Sequence, residues 1–133
     1  MSKSAAQKLF IKPDTTVWVS HADRRHLIEP LPEGVTSSKT LGTADVALVF
    51  GDDEASVRKL LTMHAKDLTK PGILWVAYPK GNRVDINRDT LWPILGEFGM
   101  RANMQVAIDD TWSALRFRPL APGEPADPRA ASK

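Results

Sequence analysis

The chain has 133 residues, 42% of them hydrophobic and 26% charged, with a formal net charge of +2 and no cysteine. These values are typical of one globular domain and exclude a disordered chain, disulfides, thiolate metal sites and cysteine nucleophiles. The small net charge and the dispersed basic residues argue against nucleic-acid binding. We expect a cytoplasmic protein without membrane contacts, because no stretch resembles a signal peptide or reaches the ~20 apolar residues of a membrane span.

The first part of the chain predicts short elements followed by a buried strand. Ser4 to Phe10 predicts a short helix, residues 17–19 a buried strand, and residues 24–29 one or two helical turns. Residues 35–38 predict a weak edge strand. The continuous apolar stretch from Ala44 to Phe50 is typical of a strand that is covered on both faces.

Two helices and a second apolar strand follow. Asp52 and Asp53 are the cap and first-turn acids of a helix whose apolar stripe has helical spacing. The stripe consists of Val57, Leu60, Leu61, His64 and Leu68. Ile73 to Tyr78 predicts the strand. The apolar face of the last helix consists of Leu91, Ile94, Leu95 and Phe98. Pro93 fits the first turn of that helix if Thr90 is its cap.

The C-terminal part predicts a β-hairpin with its turn at Asp109 and Asp110. Strands that are separated by helices pair in parallel through right-handed crossovers. We therefore predict an α/β fold over residues 1–119: a single three-layer Rossmann-like domain with a mostly parallel sheet of five or six strands and a C-terminal antiparallel hairpin. This plan is that of the class I methyltransferase sheet, shortened. The proline-rich residues 120–133 are predicted to be disordered.

Several segments carry a more specific resemblance. They are QKLFIKPDTTVWV, LPEGV, PGILWVAYPK and AIDDTWSALRF, within residues 7 to 118. The most specific positions in them are Pro79, Lys80, Asp109, Trp112, Ser113, Leu115 and Phe117. Together they resemble an uncharacterised bacterial family, domain of unknown function 3052. Gly81 stands where we expect a second basic residue in that family, and Phe10 and Asp14 stand where we expect glycines. The resemblance implies a methyltransferase-like fold and no established activity.

The predicted topology places the ends of four segments at one edge of the sheet, where open parallel sheets bind ligands. These ends are residues 20–21, 50–52, 78–80 and 109–111. The turn after the first strand, Ser20 to His26, contains no glycine. A glycine-rich cradle for a nucleotide or for S-adenosylmethionine is therefore absent, and we predict no cofactor. The spacing of His21 and His26 indicates no metal site.

Basic residues at this predicted edge favour an anionic small molecule. The candidate ligand-binding residues are His21, Arg24, Arg25, Lys80, Arg83 and Asp109. The alternative is that Arg24 and Arg25 form ion pairs with Asp23 or Glu29 on a solvated helix.

Two tryptophans are candidates for partner binding. Trp92 flanks the apolar face of the last helix, and Trp112 begins the second hairpin strand. Either residue suits a contact with a protein partner or with a second copy of the chain, since aromatic residues are enriched at interfaces. The alternative is that both cap the core.

These patterns leave open whether the chain is an enzyme. We predict a non-catalytic domain that binds an anionic small molecule or a protein partner at the edge just described. The alternative is a degenerate or unusual methyltransferase-like transferase that uses the same edge. In that case His21 and Asp109 are its acid–base residues and Lys80 binds the substrate; Asp52 is a second possible partner for His21. A third possibility is an interaction module that dimerises through the hairpin or through Trp92.

Overall fold

The computed structural model describes residues 4–81, 84–120 and 123. Its strands are β1 (Thr16–Val19), β2 (Thr36–Ser37), β3 (Val46–Phe50), β4 (Ile73–Pro79), β5 (Met100–Ala107) and β6 (Trp112–Pro119). Its α-helices are α1 (Ala5–Lys8), α2 (Glu54–Met63) and α3 (Arg88–Gly96). Short 3-10 helices span Ala22–Ile28, Leu41–Thr43 and Ala65–Asp67.

The six strands form one sheet in the order β2-β1-β3-β4-β6-β5. The first four of these pair in parallel, whereas β6 runs antiparallel to both β4 and β5. The predicted α/β architecture with a C-terminal antiparallel hairpin is confirmed. All five residues of β3 are buried, as the continuous apolar stretch predicts for a strand in the middle of a parallel sheet.

Each face of the sheet has its own hydrophobic core, which gives the predicted three layers. Helices α2 and α3 cover one face, over Val49 and Val76 among others. Helix α1 and the 3-10 helix Ala22–Ile28 cover the other face, over Phe50 and Trp75. The indole of Trp75 is fully buried and donates its Nε1–H to the carbonyl of Leu9 at 3.0 Å. That bond fixes the N-terminal segment to the sheet.

Reciprocal caps begin the two longer helices. In α2 the cap is Asp53 rather than Asp52, one residue later than predicted, and Glu54 is the first-turn acid; Asp53 exchanges hydrogen bonds with Ser56. In α3, the predicted cap is wrong. Asn87 is the cap and Thr90 is the third helical residue, because the Asn87 side chain accepts the Thr90 N–H at 3.0 Å. The helix therefore starts one turn earlier, and Pro93 lies inside it.

Helix α1 ends sooner than predicted, at Lys8, because the backbone turns left-handed at Phe10, where φ is 60°. Asp14 also has a positive φ, of 63°. These are the two positions at which the family resemblance leads us to expect glycine, the residue that adopts such angles without strain. The phenyl ring of Phe10 stacks on Trp75 with the centroids 6.4 Å apart.

Within the described ranges, none of the helices has the length and apolar character needed to cross a bilayer. Most of the tail predicted to be disordered, residues 121–122 and 124–133, lies outside the described residues.

Candidate functional site

The ends of three parallel strands and the turn between β5 and β6 lie together. Ser20, Gly51 and Lys80 follow β1, β3 and β4, and each donates its backbone N–H across the sheet. The acceptors are the carbonyls of Leu48, Ala77 and Thr111, at 3.0, 2.8 and 2.8 Å. We call residues 20–24, 50–52, 78–80 and 109–112 the strand-end edge. The predicted convergence of these four segments is thus present.

The first turn holds a polar pair. The Ser20 hydroxyl lies 2.8 Å from His21 Nδ1 and accepts the backbone N–H of Phe50 at 2.8 Å. The His21 ring meets the Phe50 ring edge-on, with the centroids 6.4 Å apart. The serine side chain therefore ties the turn to the end of β3 and fixes the orientation of the imidazole.

The side chain of Arg24 lies over the end of β3. Its guanidinium forms an ion pair with Asp52 at 2.6 Å. The guanidinium carbon is 5.2 Å from the ring centre of Trp112 and 5.8 Å from that of Phe50. These two rings meet edge to face at 5.3 Å. We call Phe50, Trp112 and Asp52 the cation cage, since together they surround the positive charge of Arg24.

Two predicted acid–base pairings are corrected. Asp52, one predicted partner of His21, binds Arg24 instead. Asp109, the other, accepts the backbone N–H groups of Thr111 and Trp112 at 2.8 and 2.7 Å. Such bonds within a turn are the usual role of aspartate at a hairpin tip, and they leave His21 paired with Ser20 rather than with a carboxylate.

Arg24 and Arg25 point to different places. Arg25 donates to the hydroxyl of Ser37 and lines a pocket of about 170 Å³ beside β1. The other lining residues are Val17, Trp18, Val19, Ala22, Ser37 and Ser38. The predicted alternative, in which both arginines pair with Asp23 or Glu29, is wrong, because Arg24 pairs with Asp52 and Arg25 bonds to Ser37.

The remaining candidates are distributed as follows. Lys80 is half-buried at the strand-end edge, next to the turn between β5 and β6. Arg83 lies outside the described residues. Trp112 is half-buried within the cation cage, and Trp92 is half-buried against the core beneath α2 and α3.

Arg24 covers the end of β3 in this conformation, and the first turn, Ser20 to His26, contains no glycine. Gly51 lies at this edge, and a Cβ there would meet Val57 Cγ2 at 2.2 Å and Ile86 Cδ1 at 3.0 Å. Core packing therefore requires a glycine at this position.

No protein-family model and no curated protein matches the sequence. Solved structures do share the fold. A protein of the NADB-Rossmann superfamily from Streptococcus agalactiae superposes with a TM-score of 0.56 and 9% identity, over 90% of this chain and 69% of that one. The m1A22 tRNA methyltransferase of B. subtilis superposes with a TM-score of 0.53 and 10% identity, over 90% of this chain and 67% of that one. The magnesium protoporphyrin IX methyltransferase of Synechocystis superposes with a TM-score of 0.51 and 7% identity, over 87% of this chain and 80% of that one.

These comparisons correct the predicted function. Methyltransferases recur among the structures that share this fold, including one that acts on tRNA and one that acts on a porphyrin. The prediction of a non-catalytic binding domain is wrong in this light, and the methyltransferase-like transferase is the better-supported reading. At such low identity the likeness itself shows the Rossmann-like fold.

Proposed function

We propose that this chain is a methyltransferase-like transferase of the cytoplasm that works at its strand-end edge. The observation that carries the proposal is the position of His21: it lies two residues after the end of the first strand of a methyltransferase-like sheet, at the edge where such sheets bind ligands.

His21 is the proposed general base. Ser20 Oγ accepts the Phe50 N–H and lies within hydrogen-bond distance of His21 Nδ1, so its second lone pair suits an Nδ1–H donor. In that neutral tautomer the free lone pair of the ring is on Nε2. Nε2 is therefore the position that takes a proton from the acceptor substrate, and the resulting imidazolium keeps its Nδ1–H on Ser20. General-base catalysis of this kind contributes about 10²- to 10⁴-fold.

Lys80 is the proposed substrate-binding cation. It follows β4, is half-buried, and lies at the same edge as His21. An ammonium group there suits an acceptor that carries a carboxylate or phosphate group. Asp109 has no catalytic part in this proposal, because its carboxylate is committed to the hairpin turn.

We also retain the proposed relationship to domain of unknown function 3052. The left-handed backbone at Phe10 and Asp14 supports it, because glycine is the residue favoured at such positions.

The test is a methyl-transfer assay with tritiated S-adenosylmethionine and fractionated bacterial RNA, protein and small molecules as acceptors. We expect label in one fraction and a loss of about a hundredfold or more in the His21→Asn variant. His26→Asn is the matched control, because His26 is exposed on the same 3-10 helix and its Nδ1 faces only the Asp23 carbonyl. Absence of transfer, or transfer that His21→Asn leaves intact, refutes the proposal.

A further inference from the structure

The cation cage has the chemistry of a binding site for a positive charge. It combines two aromatic rings and one carboxylate around a single guanidinium. Aromatic rings attract cations through their quadrupole, and a carboxylate adds a charge-assisted hydrogen bond. The three cage residues come from β6, β3 and the loop before α2, so the fold brings them together independently of Arg24.

The hydrogen-bonding capacity of Arg24 is only partly satisfied within the cation cage. Its Nη1 is buried and has no hydrogen-bond partner among the described residues, although Nη2 binds Asp52. A buried donor without a partner costs free energy in the closed arrangement. The Arg24 side chain is 22% exposed and that of Asp52 48%, so the cage opens directly to solvent.

The charge around the cage also favours a cation. Besides Arg24, the basic side chains of the strand-end edge are Lys80 and His21, while its acidic side chains are Asp23, Asp52, Asp109 and Asp110. Arg25, the next basic residue, bonds to Ser37 beside the separate pocket. If Arg24 left, the remaining groups would attract positive charge more strongly.

We propose that Phe50, Trp112 and Asp52 form a binding site for an organic cation, in which Arg24 is a displaceable internal occupant. Arg24 thereby closes the strand-end edge until a ligand of the same charge replaces it. If the chain is a transferase, as proposed above, the organic cation is a methyl donor with a sulfonium group, as in S-adenosylmethionine. This accounts for a transferase fold in which Arg24 covers the end of β3 in the closed conformation.

The cage is tested without any methyl donor, by fluorine NMR of protein labelled with 5-fluorotryptophan. The four tryptophans give four signals, and Trp112→Phe assigns one of them. In Arg24→Ala we expect the Trp112 signal to move, and ethylguanidinium to return it towards its original position. The neutral analogue ethylurea should leave it unmoved. Asp52→Asn, which keeps Arg24, should move the same signal less, and His26→Ala should not move it.

An unmoved Trp112 signal in Arg24→Ala, or an equal response to ethylurea, overturns the cage. The donor is tested separately by calorimetry. We expect Arg24→Ala to bind S-adenosylmethionine about tenfold more tightly than the unmodified chain does. We also expect this variant to bind it about tenfold more tightly than S-adenosylhomocysteine, whose thioether sulfur carries no charge. If ethylguanidinium enters the cage and S-adenosylmethionine binds neither protein, the cage stands and the methyltransferase proposal fails.

Discussion

Replacing Gly51 by alanine tests whether core packing requires a glycine at the end of β3. The new methyl group would meet Val57 Cγ2 at 2.2 Å and Ile86 Cδ1 at 3.0 Å, and both side chains are fully buried. Because these neighbours are held on α2 and beneath the sheet, one of them must shift. Overpacking of a core costs about 1–3 kcal/mol. We expect the free energy of unfolding to fall by about 3 kcal/mol, measured by urea denaturation with an unchanged m-value.

A double-mutant cycle identifies the cause. Val57→Ala removes the methyl group that the new Cβ would meet. The Gly51→Ala substitution should therefore cost at least ~1 kcal/mol less in the Val57→Ala background than alone. Gly81→Ala is the control: its φ of 78° makes alanine strained, but apart from its chain neighbours no atom of the described residues lies within 4 Å of the added Cβ, so we expect a loss of about 1 kcal/mol. A Gly51→Ala loss below about 0.5 kcal/mol would refute the packing explanation.

Three further predictions concern other parts of the fold. Asp109→Ala should lower the free energy of unfolding by about 1 kcal/mol, because the Thr111 and Trp112 N–H groups lose their hydrogen-bond acceptor. Methyl transfer should persist, and a loss of transfer at unchanged stability would restore Asp109 as a catalytic residue. Trp75→Phe should cost about 1–3 kcal/mol in urea denaturation, because it leaves a buried carbonyl unpaired. The pKa of Arg58 lies above its ordinary value, mainly because Glu97 accepts hydrogen bonds from its guanidinium. The contribution of this pair to the free energy of unfolding is therefore fully present below the unfolded pKa and is lost only at strongly alkaline pH. Glu97→Gln should therefore give a small loss, equal at pH 6 and pH 9 and abolished by about 1 M salt, and a loss that changes between those pH values would contradict this assignment.

The fold could be predicted from local patterns because those patterns agreed with the tertiary structure. The apolar stretch that ends at Phe50 became the fully buried β3, and the second of the paired acids before α2, Asp53, became its cap. The prediction failed at α3, where a proline suggested a first turn and Asn87 supplied a better cap one turn earlier. A side-chain bond that satisfies a free backbone N–H outweighs the preference of proline for the first turn.

The site could be predicted in its location but not in its chemistry. The parallel pairing of β1, β3 and β4 brings their ends to one edge, and the alternation of strands and helices along the sequence is sufficient to indicate that pairing. Which side chains meet there depends on the antiparallel register of β6 against β4, which places Trp112 opposite Pro79. No local pattern encodes that register, and so the association of Trp112 with Phe50 and Asp52 is visible only in three dimensions.

The sign of the preferred ligand follows from that association. The sequence alone predicts an anion site, because the first turn contains several basic residues. In the structure Arg24 is already bound by Asp52 and two aromatic rings, and Arg25 bonds to Ser37 beside the separate pocket. A bound cation is evidence about its surroundings: groups that hold a guanidinium will hold another cation of similar size once it leaves. The arginine that suggested an anion therefore marks the place where this edge takes a positive charge.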